Sequence, residues 1–306
     1  MRPTLTSPRP VIGCVIRFRN SARTLPSVLQ CLAKQTLQPD FILGIDNNSS
    51  DDSADILIDA GASVLEWTKP YSHPAVLNFA MERCPTDLVL LLSSHTTLND
   101  EDALERMVAE MEDPQMACVS GKWDDSRFYS DTVTWEEMKQ KGMLLGSVYS
   151  NSMGVIRRSF WEETPFDESM GIAEDYGWSL EQMKRGRKCR RLAISFGYLR
   201  NGNCRTYELA REFFRMSRSY GLKTVWLGPK LTLWKMLGAS LRCCRVSRSA
   251  EDRAQWVDHV SKFRAWFEHV VWRQRGKSVS VDAGRSNETE WRGSELECRV
   301  RRVPLG

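Results

Sequence analysis

The sequence predicts an α/β protein with a mostly parallel central sheet. Short apolar runs of strand length, such as VIGCVI at residues 11 to 16 and LVLLL at 88 to 92, alternate with segments of helical periodicity. Polar residues follow these runs directly, as they do at the carboxyl ends of parallel strands. Strands that alternate with helices form a parallel sheet that is covered by helices on both faces.

The predicted elements follow one another in order. ARTLPSVLQCLAKQ, after the first run, repeats Leu and Val at helical spacing. FILGI at 41 to 45 is a second strand, and DNNSSDDS after it favours a turn and then a helix N-cap. PAVLNFAMERC predicts a helix that leads into the strand at 88 to 92, and EDALERMVAEM places four apolar residues on one helix face. MACVSG and SMGVIRR continue the alternation.

Composition excludes several classes of protein. The chain has 306 residues, of which 42% are hydrophobic and 27% charged, so it is neither disordered nor collagen-like. No stretch approaches 18 consecutive apolar residues, and MRPTLTSPRP at the start lacks the apolar core of a signal peptide. Nine cysteines without a CxxC pair suit reduced thiols better than a disulfide framework or a zinc site. We therefore expect a cytoplasmic protein.

Polar side chains follow each of the first three predicted strands. Where the carboxyl ends of parallel strands meet, such residues form a ligand site. For the acids that follow the second strand, the alternative is that they only turn the chain and cap the next helix. The three groups are Arg17 and Asn20, then Asp46, Asn47 and Asp51, then Ser93, Ser94 and His95.

Four segments in this order resemble the family-2 inverting glycosyltransferases. They are VIRFRNSARTLPSVLQCLAKQT, GIDNNSSDDSADI, YSHPAVLNFAMERCPTDLVLLLSSH and SNSMGVIRRSFWEETPFDESMGIAEDYGWSLEQMKRG. The resemblance covers about residues 10 to 200 and implies the GT-A nucleotide-diphospho-sugar transferase fold, over 9 to 202. In that fold the first half holds the nucleotide and the second half the acceptor. The residues after the first two strands would then surround the nucleoside, with Asp46 as the carboxylate that hydrogen-bonds base or ribose.

The third strand end departs from the pattern of most relatives. They carry an Asp-x-Asp pair there, which holds a divalent cation against the diphosphate, whereas this chain has Ser93 and His95. A rhamnosyltransferase-like branch of the family carries a similar Ser-x-His. Imidazole suits Mn²⁺ better than Mg²⁺, and His73 is the one other nearby candidate ligand, so we expect a metal site that is weak or absent. His95 either ligates Mn²⁺ alongside diphosphate oxygens or, as an imidazolium, donates directly to a phosphate oxygen. The remaining alternative is that His95 is only a hydrogen-bonded strand-end residue.

The segment FDESMGIAEDYGWSLEQMKRG contains the strongest chemical signal. Glu174 and Asp175 stand at a predicted helix start, and Gly186 ends that helix. An acceptor hydroxyl needs a carboxylate to take its proton as it attacks the sugar. The resemblance assigns this role to Asp175 and implies that Glu174 holds the acceptor. The alternative is that two acids merely favour a helix N-terminus.

The pattern after residue 202 is helical and basic. RTYELAREFFRMSRSYG predicts one helix that ends at Gly221, residues 251 to 272 predict another, and a helical extension over 203 to 277 results. Residues 230 to 277 contain eleven Lys or Arg and four Asp or Glu. We expect this segment to pack on the catalytic domain or to touch the inner face of an anionic membrane; no stacking platform for nucleic acid is evident. Residues 278 to 306 are polar and show no helical or strand periodicity, which predicts a disordered tail.

These observations predict a glycosyltransferase for hexosyl or deoxyhexosyl transfer. Its partners would be a nucleotide-diphospho-sugar and a hydroxyl on a glycan or glycolipid of a cell-surface polysaccharide. A nucleotide-sugar-binding protein without turnover is the competing interpretation, and the missing Asp-x-Asp is its best support. Glu174 and Asp175 favour the enzyme.

Overall fold

The computed structural model describes residues 9–123, 132–142, 149–199 and 206–223, with positions 260 and 264. Its strands are β1 (Ile12–Phe18), β2 (Phe41–Asp46), β3 (Ser63–Glu66), β4 (Leu88–Ser93), β5 (Thr96–Leu98), β6 (Met116–Trp123), β7 (Thr132–Val133), β8 (Met153–Arg157) and β9 (Lys188–Tyr198). Its helices are α1 (Leu25–Ala33), α2 (Ser53–Asp59), α3 (His73–Glu82), α4 (Ala103–Glu110), α5 (Trp135–Lys141), α6 (Arg158–Glu163), α7 (Glu174–Lys184) and α8 (Thr206–Tyr220).

The described strands form one sheet in the order β3, β2, β1, β4, β8, β6, β9 and β5, and β7 pairs with β9 beside this path. Strands β1 to β4 are parallel to one another, and β6 is parallel to β9. Strand β8 lies antiparallel between β4 and β6, and β5 and β7 run antiparallel to β9. Six of the nine described strands therefore run in one direction, which confirms the predicted mostly parallel α/β fold.

Two apolar layers cover the two faces of the sheet. On one face, Val15 of β1 and Leu91 of β4 pack against α3 and α7. On the other face, Ile16 and Leu92 pack against α1, α2 and α4. Successive side chains of a strand point to opposite faces, so a strand covered on both sides is a nearly continuous apolar run. This explains why LVLLL contains no polar residue.

The strand order reverses at β1. From β1 the chain moves outward through α1 to β2 and through α2 to β3, and it then returns through α3 to β4 on the other side of β1. The carboxyl ends of β1 and β4 lie side by side, with Arg17 in register with Ser93. Such a reversal leaves a crevice at the carboxyl ends of the two strands, where ligands of open α/β sheets bind.

The first helix of the predicted C-terminal extension is α8, and it ends before Gly221 as predicted. Phe213 is buried against the ring of Tyr176 in α7, with 4.6 Å between the ring centroids. Apart from positions 260 and 264, the predicted second helix, the basic segment and the tail from 278 lie outside the described residues. The domain limit at 202 stays a prediction. Within the described ranges, no helix is long and apolar enough to cross a membrane.

Candidate functional site

A cleft of about 800 Å³ opens where the carboxyl ends of β1 and β4 face the start of α7. Its walls combine residues from both halves of the sheet, and Leu209 and Phe213 of α8 close one side. The predicted site residues that line the cleft are Arg17, Asn47, Ser93, Ser94, His95, Glu174 and Asp175. The lining does not include Asn20, Asp46 or Asp51.

Asn20 and Asp51 join the loop after β1 to the loop after β2. Asn20 has a left-handed backbone with φ of 48°, and its side-chain oxygen accepts from the Ser50 amide at 2.8 Å. The Asp51 carboxylate accepts from the Ala22 amide at 3.0 Å and from the Ser53 hydroxyl. Burial raises the pKa of Asp51, but these hydrogen bonds outweigh burial and hold the pKa below its usual value. Both residues order the rim of the cleft, and their part in donor binding stays a prediction.

Asp46 is the last residue of β2 and is almost completely buried. Its carboxylate accepts from the Ser49 amide at 2.9 Å, as an acid that turns the chain would. Its neighbour Asn47 lines the cleft. The turn and the proposed contact with base or ribose therefore remain two hypotheses for Asp46.

A hydrogen-bond network surrounds Arg17 at the end of β1. One terminal guanidinium nitrogen lies 2.8 Å from His73 Nδ1. The Tyr71 hydroxyl lies 2.9 Å from the same His73 Nδ1. The other terminal nitrogen donates to the Asn151 side-chain oxygen at 3.4 Å. Because a guanidinium can only donate, Nδ1 of His73 must accept. The structure thus uses His73 to hold Arg17, whereas the sequence suggested His73 as a metal ligand.

Glu174 and Asp175 begin α7 on the opposite wall. The Asn151 side-chain amide donates to Glu174 at 2.8 Å, and its backbone amide donates to Asp175 at 3.0 Å. Asp175 is partly exposed to the cleft yet lies deep among protein atoms. This burial, and then the nearby charge of Glu174, raise the pKa of Asp175 to about 6, although the amides of Asn151 and Tyr176 oppose the rise. Asp175 is therefore a stronger base than an ordinary aspartate.

The strand end at Ser93 to His95 is tied to its surroundings. The Ser94 hydroxyl lies 2.9 Å from the Ser21 hydroxyl. His95 Nε2 hydrogen-bonds with the Tyr198 hydroxyl, and the two rings meet edge to face with 4.3 Å between centroids. Ser93 is buried. The structure therefore gives the side chains of Ser94 and His95 hydrogen-bonding roles.

The donors at this strand end do not fit a protein-held Mg²⁺ or Mn²⁺. Both ions prefer several carboxylate or carbonyl oxygens, and Ser93, Ser94 and His95 offer hydroxyls and one imidazole. Over the ranges that the structure describes, no group of three His, Cys, Asp or Glu residues is arranged to hold a metal ion.

Several residues of the cleft were not singled out as ligand-binding residues from the sequence. They include Tyr71, Asn151, Arg191 and Tyr198. Asn151 and Tyr198 leave no pattern, because their partners Arg17 and His95 are distant in sequence. Arg191 lies on the same side of β9 as buried Cys189, where a charged residue is unusual, and this signal appears only once burial is known.

A model for the family described as Glycosyl transferase family 2 matches residues 14–170, more than half of the chain. The chain belongs to glycosyl transferase family 2. Within this family it is 25% identical over 195 residues to the O-antigen chain rhamnosyltransferase RfbN of Salmonella typhimurium, a match that covers 58% of the chain and 62% of the relative. It is also 25% identical over 118 residues to the O-antigen biosynthesis protein RfbC of Myxococcus xanthus, covering 37% of the chain and 9% of RfbC. The chain thus spans less than two thirds of either relative.

Solved structures show the same fold. The mannosyltransferase PcManGT of Pyrobaculum calidifontis, solved with GDP-Man and Mn²⁺, superposes with a TM-score of 0.63 at 12% identity, covering 86% of this chain and 88% of PcManGT. Residues 1–349 of S. aureus TarS, solved with UDP-GlcNAc, give a TM-score of 0.52 at 16% identity, covering 85% and 81%. The family-2 match and these neighbours confirm the GT-A fold.

Asp46→Asn separates the two hypotheses for Asp46. Asparagine keeps a side-chain oxygen for the Ser49 amide but loses the charge. We expect the melting temperature to stay near that of the native protein, while calorimetric affinity for UDP, GDP or dTDP falls by about 1.5 to 3 kcal/mol, the value of one charged hydrogen bond. Asp46→Ala should lose both affinity and stability. Native affinity in the Asn variant would restrict Asp46 to the turn.

Ser93→Asp combined with His95→Asp should create a cation site. Two carboxylates at the strand end supply the oxygen ligands that the native residues lack, so Mn²⁺ should bind about tenfold or more tightly in calorimetry. The control is Ser93→Ala with His95→Ala, which should match the weak native binding. If a chelator abolishes nucleoside diphosphate binding by the native protein and Mn²⁺ restores it, His95 is a metal ligand and the expectation fails.

Proposed function

We propose that this chain is an inverting glycosyltransferase that moves a hexose or deoxyhexose from a nucleotide-diphospho-sugar to a hydroxyl of a glycan or glycolipid. Its relatives RfbN and RfbC, named for O-antigen synthesis, support a role in making a cell-surface polysaccharide. The observation that carries the proposal is the Asp175 carboxylate, which opens into the cleft opposite the ends of β1 and β4 and has a raised pKa.

The chemistry that we propose for Asp175 is a proton transfer that accompanies a single displacement. The acceptor oxygen forms a bond to the anomeric carbon while Asp175 takes its proton. The bond from that carbon to the diphosphate oxygen breaks, and the nucleoside diphosphate leaves with the electron pair. A sugar hydroxyl is a very weak acid, so this positioned base lowers the barrier without first forming an alkoxide.

Arg17 is the residue that we propose to stabilise the leaving diphosphate. It lies at the end of β1, where the crevice between β1 and β4 opens, and it lines the cleft. A guanidinium makes charge-assisted hydrogen bonds to phosphate, and it offsets charge that grows in the transition state. His73 and Asn151 hold this side chain in place. With such a cation present, a divalent metal would be weakly held or absent.

A nucleotide-sugar-binding protein without turnover is the second candidate. Ser93 and His95 favour it, because they do not form the Asp-x-Asp pair of most relatives. The two acids at the start of α7 favour the enzyme, because a binding protein has no need of a base with a raised pKa. Release of free sugar from UDP-, GDP- or dTDP-sugars distinguishes the two candidates, since only a transferase cleaves its donor.

Asp175→Asn should lower turnover by roughly 10²-fold or more, because only the base is lost. Donor affinity should stay within about twofold of the native value. The melting temperature should not fall, since asparagine still accepts from the Asn151 amide and removes a buried charge. Asp167→Asn, an exposed acid outside the cleft, is the matched control and should retain full turnover. Near-native activity of Asp175→Asn would refute the assignment.

The rate should rise with pH through the pKa of Asp175, about 6, because a base must be deprotonated to accept a proton. Below this pH, kcat/KM should fall about tenfold for each pH unit. Glu174→Gln removes a nearby negative charge and should move the midpoint to lower pH, whatever its effect on the maximal rate. A profile that is flat from pH 5 to 7, or that falls as pH rises, would contradict this prediction.

A further inference from the structure

Arg191 is a buried cation in the wall of the cleft. It lies on β9, in register with Ser120 of β6, and its residue surface is only 1% exposed. The guanidinium Nε donates to the Gly121 carbonyl at 2.9 Å. In the part of the chain that the structure describes, neither terminal nitrogen has a hydrogen-bond partner. Arg191 nevertheless lines the same cleft as Asp175.

Such an arrangement is costly unless a ligand completes it. Buried polar groups are almost always hydrogen-bonded, and an uncompensated buried charge is strongly destabilising. An apolar side chain of similar length would fill the same space in β9 without this cost. Burial lowers the pKa of Arg191 to about 10, with Asp175 opposing the change, so the guanidinium stays charged at neutral pH.

The geometry of the free nitrogens indicates what the ligand is. The single bond from Nε to Gly121 fixes the guanidinium plane and leaves both terminal nitrogens unused. Two parallel donors in one plane match the two oxygens of a carboxylate or phosphate. A neutral sugar hydroxyl would satisfy at most part of this donor set.

We propose that Arg191 binds two anionic oxygens of a substrate in the cleft. This inference rests on the proposed glycosyl transfer and adds a recognition residue to it. The oxygens belong either to the diphosphate of the donor or to a carboxylate or phosphate group on the acceptor. In either case Arg191 fixes an anionic substrate group in the same cleft as the base Asp175.

Arg191→Met and Arg191→Lys test this assignment. Methionine fills much of the volume without charge, and lysine keeps the charge without the paired donors. The matched control is Arg190→Met, because Arg190 is the preceding residue of β9 but pairs with Glu110. Calorimetry measures affinity for pyrophosphate, for UDP, GDP and dTDP against their nucleosides, and for glucuronate and glucose 1-phosphate. Thermal unfolding is measured without ligand.

We expect Arg191→Met to keep or raise the ligand-free melting temperature, and to weaken binding of one class of anion about tenfold or more. Arg191→Lys should show a smaller loss for the same class, and Arg190→Met none. A loss for pyrophosphate and nucleoside diphosphates, but not nucleosides, identifies the donor diphosphate. A loss for glucuronate or glucose 1-phosphate alone identifies an acidic acceptor.

Native affinity for every anion in both Arg191 variants would overturn the inference. If the pH midpoint of turnover then moves upward, Arg191 acts only as a counter-charge to Asp175. If Arg191→Met does not fold, the anion affinities of Arg191→Lys decide whether the inference stands. Transfer by the native protein is measured in parallel. If the native protein transfers sugar and the Arg191 variants bind every anion unaltered, only the role of Arg191 is refuted. If the native protein does not cleave its donor, the proposed function itself is refuted.

Discussion

The arrangement of the cleft depends on one residue, Asn151, which connects its two walls. The side-chain oxygen accepts from Arg17 at 3.4 Å, and the side-chain nitrogen donates to Glu174 at 2.8 Å. The backbone amide donates to Asp175 at 3.0 Å. One residue therefore fixes the cation at the end of β1 relative to the acids that begin α7. Hydrogen bonds to charged partners are among the stronger ones in proteins, so this residue determines the relative position of the two walls.

The sheet makes that connection useful, because it brings distant parts of the chain to one edge. The reversal of strand order at β1 creates the crevice, and the pairing of β4 with β8 brings the second half of the chain beside it. Asn151 lies two residues before β8, so the antiparallel register that pairs Leu92 with Met153 places it beside the carboxyl end of β4. The apolar layers on both faces then lock this register, since a shift by one residue would turn core side chains outward.

Much of this fold could be predicted from the sequence, but not all of it. The alternation of apolar runs with helical segments predicts β1, β2, β4, β6 and β8 and the polar ends of the first three, but not β3, β5, β7 or β9. The reversed direction of β8 could not be predicted, because an apolar run has the same pattern in either orientation. The residues of the cleft also differ in how far they can be predicted from the sequence. The place of Asp175 at a helix start has a local signal, and its role as a base follows from the family resemblance and stays a prediction. The contacts of Asn151 depend on Arg17, 134 residues away. Arg191 was missed because its conflict with a buried strand position appears only once burial is known.

The packing of α8 has a consequence for how this protein can evolve. The match to the family model ends at residue 170, yet Leu209 and Phe213 form part of the cleft wall, and the Phe213 ring contacts the ring of Tyr176, which follows Asp175. The strand ends around Arg17 and Ser93 lie within the matched region. Substitutions in α8 can therefore reshape one wall of the cleft while the strand ends remain unchanged.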